Sequence, residues 1–156
     1  NHQKIVSYKD NLLAVSGSSN VQIALEDYLL KSKKVVKFNT ITEIYRFGLL
    51  FHKELKDNHF LRPDDDDDAF ETFRGDIVIA NPSGIFGLSS YRYVQEYSKF
   101  YASGSGSEFA SGAMFAIYND EDRTAEDIAK LGIMAGAEFD DGTYLPLNYY
   151  TVKLTK

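Results

Sequence analysis

The chain has 156 residues, is 44% hydrophobic and 14% aromatic, and carries 17 Lys+Arg against 23 Asp+Glu for a formal net charge of -6, with no Cys. That content suits one domain over 1–156 with a core of its own, excludes disorder, disulfides, thiolate metal sites and Cys nucleophiles, and fits a reducing, cytoplasmic setting. The acidic balance argues against nucleic acid, no apolar run is long enough to span a membrane, and no signal peptide is evident.

The chain opens on Asn1-His2-Gln3-Lys4 rather than on Met and runs almost at once into a strand. We therefore expect further residues upstream. Residues 4–8 and 12–16 are short β-branched or apolar runs with Lys9-Asp10-Asn11 as a turn between them, which predicts a β-hairpin. Gly17-Ser18-Ser19-Asn20 then breaks the strand and offers caps to a helix. Val21, Ala24, Leu25, Tyr28 and Leu29 recur at helical spacing and predict an amphipathic helix over 20–33. Thr40 and Glu43 have capping-box spacing and open a second helix, with Ile41, Ile44, Tyr45, Gly48, Phe51, His52 and Leu55 as its buried stripe.

Arg62-Pro63 ends that region. Asp64 to Asp68 form an unbroken acidic run, which predicts a solvated loop. It is not an EF-hand, whose ligands alternate around a Gly at the sharp bend. Asp76 to Ala80, the turn Asn81-Pro82-Ser83-Gly84 and Ile85 to Leu88 predict a second hairpin. Tyr91 to Tyr97 alternates with period 2 and reads as another strand. Phe100-Tyr101-Ala102 leads into Ser103-Gly104-Ser105-Gly106-Ser107, then a small-residue helix with Ala110, Ala113, Met114 and Ile117 inward. Thr124 and Asp127 form another capping box, opening a helix whose stripe is Ile128, Leu131, Gly132, Ala135 and Phe139. Asp140-Asp141-Gly142 closes it, and Leu145 to Leu154 reads as a final strand. Strands and helices segregate instead of alternating, which predicts α+β with antiparallel sheets.

Several chemistries lack their residues. The three His are His2, His52 and His59, and His52 on a helix stripe reads as a core or boundary residue. There is no H-x-x-x-H pair, G-x-S-x-G elbow, P-loop or G-x-G-x-x-G after a strand. The distinctive feature is Gly-Ser-Gly-Ser between strand and helix, where small residues let backbone amides approach a ligand. Ser16-Gly17-Ser18-Ser19 makes the same transition, and Asp140-Asp141-Gly142-Thr143 closes a third element.

These residues carry a resemblance. Lys4-Ile5, Leu13-Ala14-Val15-Ser16-Gly17, the stretch from Tyr101 to Ala113 containing Gly104-Ser105-Gly106, Thr124-Ala125-Glu126-Asp127 and Glu138-Phe139-Asp140 resemble, in order and spacing, the proteasome β-type or HslV-type N-terminal nucleophile hydrolases. The resemblance implies a four-layer αββα sandwich of antiparallel sheets, two of whose strands would precede Lys4. It implies a threonine-type peptidase subunit that cuts polypeptides inside a closed homo-oligomer, with an ATPase unfoldase as a possible partner and no cofactor or metal. In such enzymes a hydroxyl becomes nucleophilic because the adjacent α-amine takes its proton. By the same resemblance Lys4 takes the place of the activating Lys, Gly17 that of the oxyanion-hole amide, and Ser105, Asp140 and Thr143 those of the supporting residues. Val15 would line the pocket for the side chain before the cleaved bond. The family's Thr, and the acidic residue between it and the Lys, are not among these 156 residues, and Tyr144-Leu145 stand where a Gly-Gly is common.

Two other readings stay open. The chain could be a catalytically inactive scaffold or binding protein on the same fold. Or it could be an acidic α+β interaction module presenting Tyr91, Tyr93 and Tyr97 on one strand face.

Overall fold

The computed structural model describes residues 3–62 and 70–155; the acidic run Asp64 to Asp68 lies outside them. The chain divides into two compact units, Asn1–Ser98 with Val152–Lys156, and Lys99–Thr151.

The first unit is built on a meander. Strands β1 (Ile5–Tyr8) and β2 (Asn11–Gly17) pair antiparallel with Tyr8 opposite Asn11, so the turn is Lys9-Asp10. Lys9 adopts φ 52 there. Strands β3 (Gly75–Asn81), β4 (Gly84–Leu88) and β5 (Val94–Tyr97) follow, and among the described residues the sheet runs β1-β2-β3-β4-β5, every pair antiparallel. Between β2 and β3 the chain crosses through helices α1 (Ser19–Lys31) and α2 (Ile41–Asn58). Thr40 caps α2 as its spacing predicts, its hydroxyl accepting from the Glu43 amide at 3.2 Å.

Period-2 alternation sorts the sheet. Leu13, Val15, Ile77, Ile79, Phe86 and Leu88 are buried on one face and join the apolar stripes of α1 and α2 in a single core. Phe38, Phe47, Phe51 and Phe73 fill it, with Phe47 stacked on Phe51 at 5.5 Å between centroids and Phe38 edge-on to Phe47 at 4.9 Å. Each such ring contributes about 1.5–3 kcal/mol by leaving water. The opposite face is apolar but half-buried: Ile5, Leu12, Ala14, Val78, Ala80 and Ile85. Asn81 is a polar residue inside, and its amide is accounted for. Its Nδ2 donates to Phe38 O at 2.8 Å and Asn11 Oδ1 at 2.9 Å, and its Oδ1 accepts from Ser83 N at 2.8 Å.

The second unit carries α3 (Ser107–Ile117) and α4 (Ala125–Phe139), packed through Ala110, Met114 and Ile128. Gly132 makes that approach possible, since a Cβ there would lie 2.9 Å from Met114 Cγ. Thr124 and Asp127 close a full capping box at the start of α4.

Two predicted strands differ. Of Tyr91 to Tyr97 only Val94–Tyr97 pairs; residues 91–93 belong to a turn in which Arg92 has φ 65, Arg92 N donates to Ser89 O, and Ser89 N donates to Tyr93 O, both at 2.8 Å. The turn takes 91–93 out of the strand, so Tyr91 and Tyr93 do not share a strand face with Tyr97. Leu145 to Leu154 is extended in composition yet forms no strand among the described residues. A strand exists only where a neighbour completes its ladder, and none pairs with this segment. Thr155 N donates to Pro82 O at 3.0 Å just past its end.

Candidate functional site

The β1–β2 hairpin places the first group of predicted residues. Lys4 directly precedes β1 and is exposed; its carbonyl accepts from Val15 N at 3.0 Å. Val15 is buried on the core face opposite Ile77, two residues before Gly17. Gly17 ends β2 at φ 99. A Cβ on it would sit 2.8 Å from Arg74 O and 3.0 Å from Gly75 Cα. The register therefore brings the Lys4 backbone beside the segment leading to Gly17, and the chain turns directly from Gly17 through Ser18 into α1.

The second unit gathers the other three. Ser105 lies in the turn before α3, where Gly104 has φ 106 and Ser107 N donates to Gly104 O at 3.1 Å. Asp140 is the C-cap of α4. One of its oxygens, Oδ2, accepts from Ser105 Oγ at 2.8 Å and from Thr143 Oγ1 at 2.6 Å. Thr143 N donates back to Asp140 O at 3.1 Å. The two flanking glycines make the space: a Cβ on Gly106 would lie 2.7 Å from Thr143 Oγ1, and one on Gly142 2.7 Å from Ser105 Oγ. A carboxylate at a helix C-terminus opposes the macrodipole, and the hydroxyls it collects are the compensation.

The Thr143 hydroxyl first, then the Ser105 hydroxyl and the Gly142 backbone, hold the Asp140 carboxyl below its ordinary range. A depressed carboxyl contributes stability that is present above the unfolded value, about 3.9, and is lost as pH falls through the folded one. Hydrogen exchange should therefore show residues 103–107 and 140–143 protected at pH 6 and loosened below about pH 4, while Asp140→Asn loosens them at neutral pH.

Some polar groups were not singled out from sequence. Gln22, on α1, is buried and donates to Gln3 O and to Glu26; its place beside Val21 and three before Leu25 was the available signal. His52 is buried as expected, with Nδ1 2.5 Å from Arg92 Nη1, and that same nitrogen also donates to Glu71 O. The Glu71 carboxylate pairs with Lys56 at 2.7 Å and lies lower in pKa chiefly for that bond. Among the described residues no cluster of His, Asp and Glu could hold a metal ion, and no helix is long and apolar enough to cross a membrane.

No family model matches the chain, and no curated protein does. Solved structures do. The chain is 41% identical to the Thiobacillus denitrificans BPH, with a TM-score of 0.88, covering 94% of this chain and 76% of that one. The same protein in complex with epoxomicin matches at 40% identity and the same TM-score. Eukaryotic HslV from Trypanosoma brucei matches at 19% identity with a TM-score of 0.62, over 90% of this chain and 75% of that one, a likeness of fold.

Proposed function

Because the chain belongs to the family of the Thiobacillus denitrificans BPH and shares the HslV-type fold, we propose that it is a threonine-type peptidase subunit that hydrolyses polypeptides in the cytoplasm inside a closed oligomer of its own copies. The observation that carries this reading is the hairpin that sets Lys4 beside the approach to Gly17. The nucleophile in this reading is a Thr upstream of Asn1. Its hydroxyl attacks the scissile carbonyl carbon and passes its proton to its own α-amine. The Lys4 ammonium disfavours protonating that amine beforehand. The oxygen that becomes negative accepts from the Gly17 N–H. The intermediate then collapses, the leaving amine takes the proton, and water hydrolyses the acyl ester. Ser105, Asp140 and Thr143 are assigned the supporting role, Val15 the pocket for the side chain before the cleaved bond.

Two features support the architecture. The half-buried apolar face of the sheet suits a second sheet stacked on it, the middle of an αββα sandwich over 1–156. Exposed Phe115, Phe139 and Met134 on α3 and α4 are the kind of surface that copies of a chain cover when they associate. An ATPase unfoldase remains the partner such an assembly would take substrates from.

The test uses the full-length protein. N-terminal sequencing should find a mature Thr, and incubation with epoxomicin, the compound of the Thiobacillus denitrificans BPH complex, should add one inhibitor mass per chain. A mature chain without that Thr, and without the adduct, would make the protein a scaffold on this fold instead.

A further inference from the structure

Gln22 is 4% exposed in the first turns of α1. A buried amide costs stability unless its hydrogen bonds are made, so its partners are informative. Its Nε2 donates to Gln3 O at 2.6 Å and to Glu26 Oε1 at 3.1 Å. Both partners are acceptors only, which fixes the amide with its NH2 toward them. One of the two is the carbonyl immediately before Lys4. The next carbonyl, that of Lys4 itself, accepts from Val15 N. Lys4 is thus held on both sides, by a helix side chain on one and by β2 on the other. The helix that supplies Gln22 starts two residues after Gly17.

We infer that Gln22 is a positioning residue: its amide, anchored in α1, fixes the Gln3-Lys4 backbone and so ties the placement of Lys4 to the turn that presents Gly17. The inference rests on the peptidase reading for its catalytic consequence and on geometry alone for the anchoring. It follows that the bond serves the chemical step, not substrate affinity, because the Lys is asked to act on the nucleophile and not on the peptide.

The test compares Gln22→Met, which keeps the length and loses the donor, with Glu26→Ala, which leaves the Gln3 bond intact. In the assembled protein, Gln22→Met should lower kcat for a short peptide by about 10- to 100-fold with KM within about twofold. Glu26→Ala should stay within about twofold in both. Gln22→Asn, one methylene short of Gln3, should behave as Met does and serves if the Met variant does not fold. An unchanged kcat in Gln22→Met, a rise in KM alone, or an equal loss in Glu26→Ala overturns the inference. If the wild type shows no turnover, the peptidase reading has failed by itself. Hydrogen exchange then decides the anchoring: residues 3–8 should exchange at least about tenfold faster in Gln22→Met with α2 and β3 unchanged, and equal exchange overturns it.

Discussion

Gly17→Ala should cost the protein both its stability and its activity. Gly17 stands at φ 99, a conformation that strains any residue with a Cβ, and that Cβ would meet backbone 2.8 Å away at Arg74 O and 3.0 Å away at Gly75 Cα. Neither atom is the end of a flexible side chain, so relief means moving the end of β2 away from β3. Strain of this kind costs about 1–3 kcal/mol, and the forced displacement about 1–3 more. Denaturant unfolding of the variant should show a loss of about 2–6 kcal/mol. Peptide turnover should fall by a further factor of about 10²–10³ in the molecules that remain folded, because the amide to which the proposed mechanism assigns the developing oxyanion has been re-aimed. A variant as stable as the wild type would mean that the turn after β2 can be made without a positive φ.

Lys4→Ala should do the reverse, leaving stability alone while removing activity. Lys4 is exposed, and its backbone bond to Val15 does not depend on its side chain. The unfolding midpoint should move by no more than a surface substitution moves it, within about 0.5 kcal/mol. Turnover should fall by about 10²–10⁴, the range ascribed to general-base catalysis, because in the proposed mechanism the α-amine that serves as base depends on the Lys4 ammonium to stay unprotonated. Lys4→Arg should not restore it, since a planar guanidinium cannot occupy the place of a compact ammonium. Full activity in Lys4→Ala would remove the catalytic reading and leave the scaffold reading in its place.

Much of this was legible beforehand where a local rule sufficed. The hairpin around Lys9-Asp10, the cap at Thr40, the capping box at Thr124 and Asp127, and the stripe of α1 are set by neighbours within one helical turn or one strand repeat. The stripe expected for α2 holds only in part, since Phe47 is buried there while Ile41 and Tyr45 are exposed, and Phe139, expected in the stripe of α4, is exposed as well. The tyrosines at 91 and 93 misled because alternation in the sequence marks a strand only where the backbone stays extended, and here Arg92 at φ 65 turns the chain before β5 begins. The segment from Leu145 to Leu154 misled because apolar alternation states only that a strand could form; a ladder also needs a neighbour.

By itself, then, the sequence named candidates, through the resemblance its motifs carry: a Lys before the first strand, a Gly at the end of the second, and a carboxylate and two hydroxyls around Gly-rich turns. Only the tertiary structure decided what those residues hold. That Asp140 gathers Ser105 from 35 positions away, that Gly17 must be Gly because of Arg74 and Gly75 across the sheet, and that Gln22 grips the carbonyl before Lys4 are long-range facts. They depend on distances between elements, and those distances are set by how the buried faces pack, which no local pattern encodes.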